Sequence, residues 1–157
     1  MVNVHITAEE FARCVVVGMR RFVSSSVKGH NHASTYERTF YARLEEETVG
    51  AVGEYAFCKY HGYTWEESVD TFHSVPDVGT KFEVRATRRD DGCLIVREND
   101  PEDRVYILVT GTAPEVVIRG WVWGREAKQP QFLKNPSGYR PAWFVPQGNL
   151  RKLKADE

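Results

Sequence analysis

The first quarter of the chain carries apolar residues at helical spacing. Thr7 followed by Glu10 matches a helix-capping box, and apolar positions then recur every three or four residues. These positions are Phe11, Cys14, Val15, Met19 and Phe22. The pattern predicts a first helix from Thr7 to about Val23. Residues 2–6 before it are compatible with a short strand or with a simple lead-in.

A second, longer helix is predicted beyond a polar loop. Residues 24–34 (SSSVKGHNHAS) are polar and contain glycine, which is typical of an exposed loop. The helix is expected to start near Thr35, to reach about Tyr60 and to end at Gly62. Its second half contains four small residues, Gly50, Ala51, Gly53 and Ala56. Because glycine lowers helix propensity, we expect this stretch to approach a neighbouring sheet or helix closely.

The periodicity changes after Tyr63 from helical to alternating. Residues 81–87 (KFEVRAT) alternate apolar and polar, as a half-buried strand does. The further strand candidates are 93–96, 104–109, 116–123 and 142–145, separated by the turn-forming segments DDG and NDPED and by a long loop over 128–140. Helices followed by a strand meander predict an α+β fold with an α/β-like core, in which helices flank a mixed central sheet of about four to five strands.

Length and composition are those of one globular domain. The chain has 157 residues, and this length is sufficient for a core without disulfides or a structural metal. We expect a single domain over 1–157, with a helical part at 7–62, a sheet-forming part at 75–146 and a basic tail at 147–157. No membrane span, signal peptide, disulfide framework or zinc site is expected, and a cytoplasmic location fits the three scattered cysteines.

The formal charge of −1 excludes a protein coated in positive charge, but its distribution is uneven. Residues 1–44 carry 6 basic and 3 acidic side chains, and residues 104–157 carry 9 and 4. Residues 45–103 carry 6 basic and 15 acidic side chains. The acidic excess therefore lies in the middle segment, between two segments that could meet phosphates.

Four residues in or near that acidic segment could act together. Glu54 lies in the second helix, and Asp77, Glu83 and Arg85 lie in PDVGTKFEVR. Because side chains alternate along a strand, Glu83 and Arg85 should share one face. Two adjacent carboxylates repel each other unless a cation lies between them. Mg²⁺ binds such oxygen ligands together with water and substrate phosphate.

These residues resemble the motif of the PD-(D/E)XK, or restriction-endonuclease-like, superfamily. The matching residues are Pro76-Asp77, Glu83-Val84-Arg85 and, in the preceding helix, Glu54. The succession GAVGEYAFCKYHG, DVG, FEVRAT, LIVREND, VYILVTG and GWVWGREAK also looks like a family of small phage and bacterial proteins in that superfamily. The resemblance covers about residues 45–150.

The resemblance implies a restriction-endonuclease-like fold and hydrolysis of DNA with Mg²⁺ or Mn²⁺. Asp77 and Glu83 would be metal ligands, and Glu54 an accessory ligand. Arg85 stands where the family usually has lysine, and arginine cannot act as a general base because it keeps its proton. It could still hold a phosphate. Lys81, on the same strand face, could replace the missing lysine.

The sequence leaves three functions open. The favoured one is a small divalent-metal-dependent nuclease acting on DNA rather than RNA, in a bacterial cell and encoded there or by a phage. The second is an inactive nuclease-fold module that binds nucleic acid or a protein partner. The third is an interaction domain without a nucleic-acid role. A homodimer is compatible with each, and no membrane partner is expected.

Overall fold

Two long helices and seven strands make up the described structure. The computed structural model describes residues 1–28, 39–70 and 74–153. The helices are α1 (Ala8–Val27), α2 (Phe40–His61) and the short α3 (Gly124–Ala127). The strands are β1 (Val2–His5), β2 (Phe82–Thr87), β3 (Leu94–Arg97), β4 (Val105–Thr112), β5 (Glu115–Trp123), β6 (Leu133–Lys134) and β7 (Ala142–Val145). None of the helices in the described ranges is both long enough and apolar enough to cross a membrane.

The start of α1 and the end of α2 agree with the sequence signals. Thr7 caps α1 in a complete capping box with Glu10. Gly62 ends α2 with φ 68°, a left-handed conformation that glycine adopts without strain. The predicted end of α1 is wrong, because the helix continues through the serines to Val27. The rest of the predicted loop, from residue 29, lies outside the described residues.

The expected start of α2 near Thr35 also lies outside the described residues. In the structure Thr39 caps the helix by accepting a hydrogen bond from the Ala42 amide at 3.2 Å. The small-residue half of α2 packs on the sheet as expected. A Cβ built on Gly53 would come within 2.7 Å of the Ala86 Cβ, so only glycine permits this approach.

The fold is α+β, with a mixed four-stranded sheet and a second, three-stranded sheet. The first sheet has the order β1-β5-β4-β2, in which β2 and β4 are parallel and the other pairs antiparallel. The second sheet has the order β3-β7-β6. The expected simple strand meander is wrong. After the Asp90-Asp91-Gly92 turn, β3 pairs with β7 in the second sheet, and β4 returns to lie beside β2.

Two apolar clusters separate three layers. The first cluster lies between the helices and the first sheet, and its largest buried side chains include Phe57, Ile107 and Ile118. The second lies between the two sheets and includes Leu94, Tyr106, Leu108 and Val145. The first sheet is therefore covered on both faces, with β2 as one of its edge strands.

Two C-terminal segments are more ordered than the sequence predicts. Within the long loop predicted over 128–140, a 3₁₀ turn at Pro130–Phe132 leads into β6. The start of the expected basic tail packs against the first sheet. Arg151 exchanges two backbone hydrogen bonds with Trp121 on β5, at 2.8 and 2.9 Å, and Leu150 is buried.

Candidate functional site

Glu54 is a buried carboxylate that joins three segments of the helical layer. Its two oxygens accept hydrogen bonds from the Arg21 guanidinium on α1, Oε1 from Nη1 at 2.8 Å and Oε2 from Nη2 at 2.7 Å. Trp65 Nε1 donates a further hydrogen bond to Oε2 at 3.2 Å. Arg21 also donates from Nε to the carbonyl oxygen of Ser68 at 2.9 Å. This bidentate pair links α1, α2 and the segment that follows α2.

The electrostatic balance at Glu54 has two opposing contributions. Burial raises the pKa of the carboxyl above its ordinary value, and the negative charge of Asp77 raises it further. The Arg21 hydrogen bonds and charge act in the opposite direction and lower it. The carboxylate and the guanidinium are both largely withdrawn from solvent, so each needs the opposite charge of the other to offset its lost hydration.

Asp77 lies against the outer edge of β2. Val78 and Phe82 form an antiparallel bridge around the intervening turn, which brings the preceding Asp77 alongside the strand. Asp77 Oδ2 accepts a hydrogen bond from the Val84 amide at 2.8 Å. Among the described residues Asp77 has no ion-pair partner. The hydrogen bond holds the Asp77 carboxylate at the backbone of the residue that follows Glu83, and the negative charge of the carboxylate adds to burial in raising the pKa of both Glu54 and Glu83.

Glu83 and Arg85 share one face of β2, as the alternation predicts. Val84 and Ala86 meet α2 at Gly53, so Glu83 and Arg85 project from the opposite face. The parallel pairing aligns Phe82 with Val105 and thereby brings Arg104, just before β4, next to Glu83. Arg104 Nη1 donates a hydrogen bond to Glu83 Oε1.

Arg85 contacts two carboxylates and an aromatic ring. Its Nη1 is 3.4 Å from Glu83 Oε2, and its Nη2 donates to Asp100 Oδ2 at 3.0 Å. The same Asp100 oxygen accepts from the Arg97 amide at 2.8 Å. The Arg85 guanidinium carbon is 5.2 Å from the centre of the Tyr106 ring. Asp100 and Tyr106 therefore fix the direction of Arg85.

Glu83 is a buried carboxyl whose pKa is raised to near neutral pH. Burial, followed by the neighbouring negative charge of Asp77, is the cause of the rise. Arg104 and Arg85 oppose it, the first through a hydrogen bond and both through charge. Glu83 thus gains or loses a proton near neutral pH, as general acid–base groups do and as ordinary surface glutamates do not.

Lys81 is not brought to the carboxylates. Its side chain is exposed and its ammonium lies over two aromatic rings, 5.5 Å from the Phe82 centroid and 5.8 Å from that of Trp123. It makes no hydrogen bond or ion pair with a carboxylate in the described part of the chain. The cation that contacts Glu83 most closely is instead Arg104.

The structure brings Asp77, Glu83 and Arg85 to the edge of β2, with Glu54 on the helix beyond. Sequence reasoning missed the four residues that contact them, which are Arg21, Trp65, Asp100 and Arg104. Asp100 lies in the NDPED segment, which the sequence identifies only as a turn. A buried aspartate in that turn could have been recognised only by knowing that Arg85 points toward it.

The acidic residues do not form a metal-binding cluster by themselves in the described part of the chain. Across residues 1–28, 39–70 and 74–153, no group of three or more His, Cys, Asp or Glu is arranged around a common point. Glu54 in particular has both oxygens on Arg21. Mg²⁺, however, needs only one or two carboxylates when water and substrate phosphate complete its coordination. Asp77 and Glu83 fit this donor set, since a cation would offset the burial and the Asp77 charge that together raise the pKa of Glu83.

Comparisons with protein-family models, with curated proteins and with solved structures gave no significant match to this chain. The resemblance to the PD-(D/E)XK superfamily therefore stays a prediction carried by the residues themselves.

Proposed function

We propose that the protein is a small divalent-metal-dependent nuclease that hydrolyses phosphodiester bonds of DNA. The observation that carries the proposal is the pair of adjoining carboxylates at the edge of β2. Burial and the neighbouring negative charge of Asp77 raise the pKa of Glu83, and a divalent cation between the two carboxylates would offset both effects. Arg85 and Arg104 both contact Glu83, one carboxylate of this pair. Carboxylates for a cation beside guanidinium groups for a phosphate are the parts that phosphodiester hydrolysis needs.

Asp77 and Glu83 are the residues proposed to hold the metal ion. A bound Mg²⁺ or Mn²⁺ supplies a more acidic water and polarises a phosphoryl oxygen. Glu54 as an accessory ligand stays a prediction, because in this conformation its oxygens contact Arg21 and Trp65. The role proposed for Glu54 here is to fix α2 against α1 behind the site.

The arginines act on the phosphate rather than on protons. Arg85 keeps its charge at every ordinary pH, so it stabilises negative charge on the phosphate and does not abstract a proton. Asp100 and Tyr106 hold it in place, so little reorganisation is needed when a phosphate arrives. Arg104 pairs with Glu83, and it would become available to a phosphate if that carboxylate were to hold a metal ion.

The proposed substrate, cellular location and oligomeric state are those expected from the sequence. DNA is the proposed substrate in preference to RNA, and the bacterial cytoplasm, with a bacterial or phage origin, is the proposed setting. The proposed homodimer would place one copy of the chain on each strand of a DNA duplex. Cys14 and Cys58, buried as free thiols, accord with a reducing compartment.

A second function is favoured by a different observation. Three cations of the site already have carboxylate partners, which are Glu54 for Arg21, Glu83 for Arg104 and Asp100 for Arg85. A site that neutralises its own charges requires no metal to be stable. The alternative is therefore a nuclease-fold module that binds nucleic acid or a protein partner without cutting.

The deciding experiment compares the wild type with Asp77→Ala and Glu83→Ala on plasmid and single-stranded DNA, with Mg²⁺ or Mn²⁺. We expect metal-dependent cutting by the wild type and a loss of at least about a hundredfold in each variant. Exposed Glu98→Ala is the matched control and should cut normally, and circular dichroism checks that all four proteins fold. Equal residual cutting by every variant indicates contamination and overturns the proposal. Salt-sensitive DNA binding without cutting supports the inactive module, and no binding at low salt leaves an interaction domain.

A further inference from the structure

A pocket of about 400 Å³ opens beside the acidic site, at the edges of the two sheets. It lies where edge strand β2 of the first sheet passes edge strand β3 of the second. Its wall includes three arginines, a thiol and two apolar side chains of the second sheet. These residues are Arg85, Arg89, Arg97, Cys93, Ile95 and Phe144.

This arginine pocket carries positive charge that acidic side chains neutralise only in part. Asp91 is the single acidic side chain in its wall, and it contacts Arg89 at 3.1 Å through both of its oxygens. Both partners are about three-quarters exposed, so this ion pair is weak and can open. The Arg97 guanidinium makes no hydrogen bond or ion pair within the described part of the chain. Two arginines are thus available to an anion.

The pocket also has a flat apolar side. Phe144 on β7 lies opposite Ile95 on β3 in the register of the second sheet, and both are half-buried. Leu94 and Val145 point into the core between the sheets, so their neighbours Ile95 and Phe144 face the other way. An aromatic face beside guanidinium groups suits a base attached to a phosphate, because any base can stack on an aromatic ring.

We infer that this arginine pocket binds one nucleotide of the DNA strand, its phosphate on Arg89 and Arg97 and its base on Phe144. The inference rests on the proposed function and names where that substrate lies. Arg85 connects the arginine pocket with the acidic pair, since it lines the pocket and its Nη1 is 3.4 Å from Glu83 Oε2. The strand passes from the acidic pair, over Arg85, into the pocket.

Binding without metal tests the pocket separately from cutting. A labelled single-stranded oligonucleotide is titrated by fluorescence anisotropy in EDTA, with wild type, Arg97→Ala and Arg89→Ala/Arg97→Ala. We expect the double variant to bind about tenfold more weakly at low salt, with a shallower salt dependence. Arg88→Ala is the matched control, because Arg88 is adjacent in sequence but pairs with Glu45 outside the pocket. Equal weakening by Arg88→Ala reduces the effect to overall charge and overturns the inference.

The base contact has its own variant. Phe144→Leu keeps an apolar side chain but removes the flat ring, and we expect it to weaken oligonucleotide binding about fivefold or more. An abasic oligonucleotide should bind wild type and Phe144→Leu equally. If Phe144→Leu weakens the abasic strand as much as the normal one, the base is not on Phe144 and that assignment fails.

Cys93 provides a local reporter of occupancy. Cys14 and Cys58 are buried, so a thiol reagent applied to the native protein reacts mainly at Cys93 in the pocket wall. Oligonucleotide should slow this reaction several-fold, while inorganic phosphate at the same concentration should not. Equal slowing by phosphate leaves a simple anion site and overturns the nucleotide assignment. A Cys93→Ser variant confirms which thiol is measured.

The two proposals fail in distinguishable ways. If cutting depends on Asp77 and Glu83 while the arginine variants neither weaken binding nor change Cys93 protection, the pocket inference is wrong and the nuclease stands. If oligonucleotide protects Cys93 but no metal-dependent cutting occurs, the pocket stands and the protein is a binding module.

Discussion

Glu54 and Glu83 are two glutamates in equally buried positions, each 5% exposed, but their surroundings differ. Glu54 is on the helix that covers one face of the first sheet, and both of its oxygens pair with one guanidinium. Glu83 projects from the other face, where two different arginines contact its oxygens, one of them at a long 3.4 Å. Asp77 raises the pKa of both carboxyls.

The comparison shows that burial alone does not make a carboxylate a reactive group. The planar bidentate pair at Glu54 satisfies the whole carboxylate and joins α1 to α2, which is a structural arrangement. At Glu83 the compensation is divided and incomplete, so a proton or a cation can enter. We therefore expect changes at Glu54 to affect mainly stability and changes at Glu83 to affect mainly ionisation and catalysis.

The largest expected effect is the loss of the Glu54 partner. Arg21→Met leaves a buried carboxylate uncompensated, and we expect a loss of about 3–5 kcal/mol in the free energy of unfolding at pH 8, measured with urea. The loss should shrink toward pH 5, because the unpaired Glu54 then takes up a proton. Exposed Arg20→Met on the same helix is the control. Equal destabilisation by both variants would contradict the structural role of the pair.

The second effect is a pH dependence of stability that comes from the ionisation of Glu83. Its pKa is about 7 in the folded protein against an ordinary 4.5, so between these values the folded chain holds a proton that the unfolded chain has lost. The contribution of Glu83 to the free energy of unfolding should therefore fall as pH rises through this window, by roughly 3 kcal/mol. Glu83→Gln cannot lose a proton, and its unfolding free energy should lack this fall. Glu98→Gln should behave as the wild type; a Glu83→Gln curve parallel to the wild type would refute the shifted pKa.

The local elements of the fold were predictable because their signals are local. The Thr7–Glu10 capping box and the terminal Gly62 act within one turn of their helices, and the alternation in KFEVRAT places Glu83 and Arg85 on one face whatever lies beside them. Composition and order of elements were enough for the α+β class. The strand pairing was not predictable in this way, because β3 pairs with β7, which lies almost fifty residues further along the chain, and not with the preceding strand β2.

The partners of the acidic residues depend on the same long-range pairing. Arg104 reaches Glu83 because β2 and β4 pair in parallel with Phe82 opposite Val105, and neither strand encodes that register by itself. Arg21 reaches Glu54 through the packing of two helices. The sequence could therefore propose which carboxylates matter, but not which arginines neutralise them or that Glu54 and Glu83 differ.

A third, smaller effect comes from Asp77, the residue that influences both glutamates. Asp77→Asn keeps an oxygen for the Val84 amide but removes the charge, so the pKa of Glu83 should fall toward its ordinary value. The fall in stability with pH should shrink by about 1 kcal/mol. Carbon-detected NMR of the Glu83 carboxyl measures the shift directly. Exposed Asp103→Asn is the control, and an unchanged Glu83 titration in Asp77→Asn would mean that the two carboxylates do not share one site.

The smallest effect is expected at Lys81, the residue that could have replaced the family's lysine. Its ammonium contacts the Phe82 and Trp123 rings, and an exposed contact of this kind contributes only about 0.5–1 kcal/mol. Lys81→Met should therefore lower stability by no more than that and leave DNA cutting within about twofold of the wild type, as Lys134→Met should. If cutting is lost as completely as in Asp77→Ala, Lys81 must swing from the aromatic rings to the carboxylates when DNA binds, and the cation serving Glu83 would come from the start of β2 rather than from Arg104.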